Sequence, residues 1–225
     1  MFHEATGRVV ARRRRGNLSC ETLLGDDRRL VKRYRLAHAG WRLRKPWRRE
    51  HKVLARLSGL GFPESLGYTE RPLPAGREIV FVCVQPAGEP LSTAADVREA
   101  DLPRLAAMWG AMHRHGVVAG HARASGHLRR PDGSLVFVDF DRGRALRRGT
   151  PWFYVRVGRD LAALCRDTLA QNAARFAGFL DAYHLCAAHP AAWRPVIRIG
   201  MALEAGVRAL MSRVQLGPRR SAEHT

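Results

Sequence analysis

Apolar positions along this chain change period from one region to the next. Near the start they come as short alternating or β-capable runs over residues 7–10, 18–24 and 30–34, with Gly25-Asp26-Asp27 as a strong turn signal between the last two. Side chains two residues apart share one face of a strand, so this region predicts a small antiparallel β-meander. From Trp47 the spacing becomes helical. Trp47, Val53, Leu54 and Leu57 share a face, Pro46 stands where a helix start tolerates it, and Ser58-Gly59 ends the helix. Residues 78–84 (EIVFVCV) form a continuous apolar run of strand length, followed by the breaker sequence Gln85-Pro86-Ala87-Gly88-Glu89-Pro90.

Beyond the breaker, residues 101–115 predict a helix with Leu102, Leu105, Met108, Trp109 and Met112 on one face. A turn at Pro131-Asp132-Gly133-Ser134 precedes a buried strand over 135–138, and helices follow over 155–169, 173–187 and 195–214. In the last of these, Ile199, Leu203, Val207, Leu210, Met211 and Val214 form an apolar stripe. It is expected to pack on the core, with a membrane-surface helix as the alternative. The expected organisation is a lobe over 1–86, a mainly helical lobe over 87–215 and a polar tail over 216–225.

The chain has 225 residues, 46% of them hydrophobic, enough to bury a substantial core. Net charge is +19, with a pI near 11.4. Such a surface attracts polyanions: anionic lipid headgroups, phosphorylated glycans or nucleic acid. The charge gathers early, at Arg12–Arg15, then Arg28, Arg29, Lys32, Arg33 and Arg35, then Arg42, Arg44, Lys45, Arg48 and Arg49. Only three of the 39 basic residues are lysines, so Lys32 is a rare choice in this chain. Cys20, Cys83, Cys165 and Cys186 are widely spaced without a CxxC pair and read as reduced thiols of a cytoplasmic protein. No apolar signal region and no run of eighteen apolar residues occurs, so neither signal-peptide secretion nor a membrane span is expected.

Residues 112–141 carry the densest chemistry. A helix ends in His113-Arg114-His115-Gly116, a loop follows, and a strand delivers Asp139-Phe140-Asp141 at its end. His113, His115, His121 and His127 raise a zinc alternative, although their spacing matches no familiar zinc pattern.

The order of strands, strand lysine, helix glutamate, apolar strand, hinge, long helix, loop and strand-end aspartate resembles the protein-kinase-like superfamily. More narrowly, it is similar to the bacterial lipopolysaccharide kinases that phosphorylate heptose or 3-deoxy-manno-octulosonic acid. Val31-Lys32-Arg33-Tyr34 resembles the strand that supplies a phosphate-contacting lysine, and Glu50 resembles its helix partner. The segment from Lys45-Pro46-Trp47-Arg48-Arg49-Glu50 to Gly61-Phe62-Pro63 carries the narrower similarity. The resemblance implies an α+β, two-lobed fold with a small antiparallel β lobe and a mainly helical lobe. It implies ATP and Mg as cofactors, with Lys32, Glu50 and Asp139 holding the nucleotide and Asp139 the metal.

By the same resemblance, Ala119-Gly120-His121-Ala122 through Gly126 stands where a catalytic loop would be. His121 then occupies the position of the catalytic aspartate, and Gly126 that of a metal-binding asparagine. Asp160 resembles an aspartate that braces this loop, and His113 a helix-end histidine packed beneath it. Gly16 is the one glycine between Arg12 and Gly25 able to mark a phosphate-loop bend. The expected protein is a nucleotide-capable pseudokinase linked to envelope glycolipid phosphorylation, with an anionic glycolipid or lipopolysaccharide precursor as partner and the inner membrane surface as a peripheral location. An active kinase using His121 as base and a basic binding module are the alternatives, nucleic acid ranking last because no reading motif accompanies the charge.

Overall fold

The computed structural model describes residues 8–15, 18–37 and 45–215. Three strands, β1 (Arg8–Arg15), β2 (Leu18–Leu24) and β3 (Arg29–Ala37), pair as an antiparallel meander. Helix α1 (Pro46–Arg56) follows, with Pro46 in its first turn, where the missing N–H costs nothing. Strands β4 (Glu64–Leu73) and β5 (Gly76–Val84) complete a five-stranded sheet in the order β1-β2-β3-β5-β4. Leu30, Lys32, Tyr34 and Leu36 alternate onto the buried side of β3, which puts a lysine among apolar neighbours in the middle of the sheet.

Strand β4 was not expected from the sequence. It lies on the sheet edge, contains Gly67, Glu70, Arg71 and Pro72, and shifts register between Ser65 and Gly67. An edge strand needs no apolar alternation on both faces and tolerates proline, so its signal is weak.

Strand β6 (Glu89–Pro90) pairs with β8 (His127–Arg129), which pairs in turn with β9 (Leu135–Phe137). Helix α2 (Leu102–Arg114) leads into β7 (Val117–Val118), and β7 pairs with β10 (Arg144–Ala145). Helices α3 (Pro151–Asp167), α4 (Ala173–Ala187) and α5 (Arg194–Gln215) complete the fold. The architecture is the expected α+β one, with a small antiparallel β lobe before a mainly helical lobe. The main apolar core runs from Leu30 and Tyr34 through Leu54, Phe62 and Phe140 to Tyr183, so the lobes share an interior, and a smaller cluster of Leu23, Val31 and Val82 lies apart from it. Phe62 meets Phe140 edge to face, and the Arg56 guanidinium donates to the Leu146 carbonyl at 2.8 Å. Among the described residues no helix is long and apolar enough to cross a membrane.

Two sequence expectations need correction. Helix α3 begins at Pro151, ahead of the expected start at 155, with Thr150 capping Phe153 N–H, so Asp160 lies in mid-helix. The stripe on α5 does not pack on the core: Ile199, Leu203 and Val207 are each about half exposed, at 55%, 51% and 49%. Leu210, Met211 and Val214 have side chains outside the described set, as do Gly16 and the 216–225 tail.

The helix instead turns Ile197, Gly200 and Glu204 inward, and Glu204 takes ion pairs from Arg159 and Arg166. Close helix crossing decides this register. A Cβ on Gly158 would lie 2.0 Å from the Ile197 carbonyl oxygen, and one on Gly200 would lie 2.2 Å from that of Val155. Gly200→Ala is therefore expected to lower stability by about 2–3 kcal/mol. That corresponds to a melting temperature roughly 5–10 °C lower by circular dichroism. Gly206→Ala, where an added Cβ meets nothing within 4 Å, should be neutral or stabilising.

Candidate functional site between the lobes

The site begins with a buried charge on β3. Lys32 Nζ donates to Glu50 Oε1 at 2.6 Å, and both side chains are nearly sealed, at 10% and 1% exposure. Burial alone would depress the Lys32 ammonium, but the adjacent Glu50 carboxylate outweighs it and holds the pKa above its ordinary value. Burial raises the Glu50 carboxyl, with Lys32 opposing. The charge of Asp139, from the other lobe, also acts on both partners. The strand lysine and the strand-end carboxylate are thus near enough for their charges to interact.

Below them lies the loop after β7, fixed by Asp160 of α3. Its carboxylate accepts the backbone N–H groups of Ala119 at 2.7 Å and Gly120 at 2.8 Å. His113, fully buried at the end of α2, places Nε2 3.4 Å from Asp160 and Nδ1 2.6 Å from the Tyr183 hydroxyl, which lies 2.9 Å from His189 Nε2. Thr168 bonds the Ala122 carbonyl from α3's end. A loop whose backbone donors are bound by a buried carboxylate keeps its geometry irrespective of the side chains it presents.

His121 points from this loop at the aspartates that follow β9. Its Nε2 is 2.8 Å from Asp139 Oδ2 and 3.7 Å from Asp141 Oδ1. Burial would lower the His121 pKa, but the hydrogen bond to Asp139 and the charges of both aspartates raise it above its ordinary value. For Asp139, burial is outweighed by His121, then by Lys32 and Arg13, and its pKa falls to about 2. Arg13 of β1 reaches the same group, donating to Asp141 Oδ2 at 3.1 Å.

The structure brings Lys32, Glu50, Asp139 and His121 together and adds Asp141 and Arg13. The sequence signal for Asp141 was its place in Asp139-Phe140-Asp141; Arg13 had none beyond its arginine run. The four-histidine zinc grouping does not form. His115 is exposed and bonds its own helix at Ala111, while His113 and His127 are buried with other partners. Trp109 Nε1 donates to His127 Nε2 at 3.2 Å, and the Arg123 carbonyl accepts from Nδ1 at 2.9 Å, so His127 is held as one neutral tautomer. All four cysteines are unpaired.

Gly126 is more than a missing ligand. A Cβ there would lie 2.8 Å from the Phe137 ring, which packs edge to face against His121, His127 and Phe140. The room a metal-binding side chain would need is filled by an aromatic ring. Among the described residues, His121, Asp139 and Asp141 are grouped closely enough that they could hold a metal ion, and Gly126 offers no side-chain ligand.

No protein-family model matches the chain, and no curated protein matches it. Among solved structures, one of WbdD with the kinase inhibitor LY294002 is 16% identical over 81% of this chain and 46% of that chain, with a TM-score of 0.46. Another structure of WbdD is 15% identical over 88% of this chain and 50% of that chain, with a TM-score of 0.47. The chain thus spans about half the length of the solved structures it matches.

Two outcomes test the packing of the site. Gly126→Asn should cost about 1–3 kcal/mol by overpacking. That cost should persist when His121→Asp is added and be relieved when Phe137 is also shortened, for example to Leu. His127 gives a pH signature, because burial depresses its pKa to about 4 while the unfolded chain titrates near 6.5. Its stabilising contribution is complete above about pH 6.5 and lost as pH falls toward 4, since the unfolded state binds the extra proton. Melting temperature should decline across that window, and His127→Gln, which keeps a donor and an acceptor, should flatten the slope.

Proposed function

We propose that this chain is a degenerate kinase-like protein that binds magnesium-ATP between its lobes and transfers phosphate slowly or not at all. The observation that carries the reading is the buried Lys32–Glu50 pair, near enough to Asp139 of the other lobe for their charges to interact. An ammonium oriented by a carboxylate supplies a fixed positive charge for phosphate oxygens, and Asp139, with Asp141 beside it, supplies the carboxylates for a metal. Bound magnesium-ATP would bring the transferable phosphoryl group. This chain's own residues would hold and orient it: Lys32 on the phosphates, Asp139 on the metal, and α1 with the sheet as a rigid roof.

The acid–base half is what fails. A base must have a free lone pair toward the acceptor hydroxyl, whereas His121 Nε2 is engaged with Asp139, and that contact favours the protonated ring. With Gly126 giving no ligand, charge neutralisation and acceptor activation are both weakened.

The proposed partner is an anionic glycolipid or lipopolysaccharide precursor, met at a membrane surface. Its support is the basic face of the small lobe, where a concavity of about 440 Å³ on the sheet is lined by five arginines of β1 and β3 around Glu21. Arg14 and Arg33 in that group have no carboxylate partner among the described residues.

Nucleotide binding is the decisive measurement. Magnesium-ATP at about a hundred times its Kd should add about 2.7 kcal/mol, or roughly 5–10 °C in Tm. Lys32→Ala alone strands a buried carboxylate and should cost about 3–5 kcal/mol. Lys32→Met with Glu50→Leu should recover that stability yet show no shift with nucleotide. A full shift in this double variant, or none in the unaltered chain, refutes the reading.

A further inference from the structure

Asp141 and the His121 ring remain under-used by the nucleotide reading. The ligand atoms of His121, Asp139 and Asp141 all lie within 4.8 Å of one another. Asp141 Oδ2 is taken by Arg13, but Oδ1 is buried without a hydrogen-bond partner and stands 3.7 Å from His121 Nε2. His121 Nδ1 is also buried and unpartnered. A buried carboxylate oxygen left without a donor costs free energy unless a cation meets it. Three donors from two segments, a loop ordered by Asp160 and the turn after β9, therefore converge on one point.

The donor set decides which cation. Ligands about 2.0–2.2 Å from a first-row divalent ion lie at most about 4.4 Å apart, so the trio closes on one with small side-chain movements. Magnesium demands oxygen ligands in near-ideal octahedral geometry and gives up water reluctantly. Imidazole suits first-row transition ions, and affinity for a mixed nitrogen and oxygen site rises along that row.

We propose that His121, Asp139 and Asp141 form a binding site for one first-row transition dication, selected over magnesium by the imidazole. The ring ligates through Nε2 and keeps its proton on Nδ1. Replacement of a loop carboxylate by His121 then changes the metal the crevice prefers, as well as removing a base. This deepens the assignment of Asp139 to a metal in the proposed function, but it does not depend on nucleotide being bound.

The test uses the full chain without nucleotide. Cobalt(II) and magnesium are titrated separately by calorimetry, with the cobalt ligand-field spectrum followed in parallel. Expected are one cobalt per chain and an affinity roughly tenfold or more above that for magnesium. His121→Asn should weaken cobalt roughly tenfold and leave magnesium within about threefold, while Asp141→Asn weakens both. As a measurement needing no variant, manganese-loaded wild type should show imidazole nitrogen coupling in pulsed electron paramagnetic resonance. Magnesium binding as tightly as cobalt, unchanged cobalt affinity in His121→Asn, or no nitrogen coupling would each overturn the proposal. Loss of the Lys32-dependent nucleotide shift with cobalt binding intact would sink the nucleotide reading alone.

Discussion

The contact between Lys32 and Glu50 constrains everything else in the small lobe. Taking both ions out of water costs several kcal/mol each, and their 2.6 Å approach offsets that cost only while both are present. Two apolar side chains of similar volume would hold α1 against the sheet at least as well. The pair is therefore poorly explained as a stability device. It does tie the helix to the central strand at one register, and it leaves Glu50 Oε2 without a hydrogen-bond partner, a cost that simple packing would not retain. Its field, felt by Asp139 across the lobes, is what an apolar substitute could not supply.

The larger lobe separates support from chemistry in the same way. Asp160, His113, Tyr183 and His189 form a buried chain of polar contacts whose upper end binds the backbone of the loop. That scaffold is complete. The two loop positions it carries, His121 and Gly126, differ in kind. His121 meets two carboxylates. Gly126 was overbuilt by Phe137, so restoring a side chain there requires repacking an aromatic cluster and not one substitution.

The sequence showed the elements whose signal is local and hid those decided by neighbours. Lys32 stood out because lysine is rare here, and the alternation of 30–34 put it on a strand, while its burial came from the packing of that strand against α1. Helix α2 and the burial of its Leu105, Trp109 and Met112 followed from periodicity. Strand β4 did not, because an edge strand with a bulge and Pro72 takes its pairing from β5. The α5 stripe misled for an energetic reason: apolar periodicity favoured Ile199 and Leu203, but Gly200 allows a closer approach to α3, and Glu204 meets two arginines there. The sequence also put Asp139 at a strand end and His121 eighteen residues before it, yet spacing alone could not show that the two side chains touch.

That contact governs what the crevice can do. An imidazole Nε2 has one lone pair or one proton to offer at a time. Donating to Asp139, it cannot accept a proton from an acceptor hydroxyl; ligating a cation, it cannot either. Catalysis through His121 would require breaking its 2.8 Å contact, exposing Asp139 to Lys32 and Arg13 as its remaining cations and moving the ring against Phe137, which fills the space beside it. The arrangement that makes this histidine a good charge partner is thus the one that makes it a poor base.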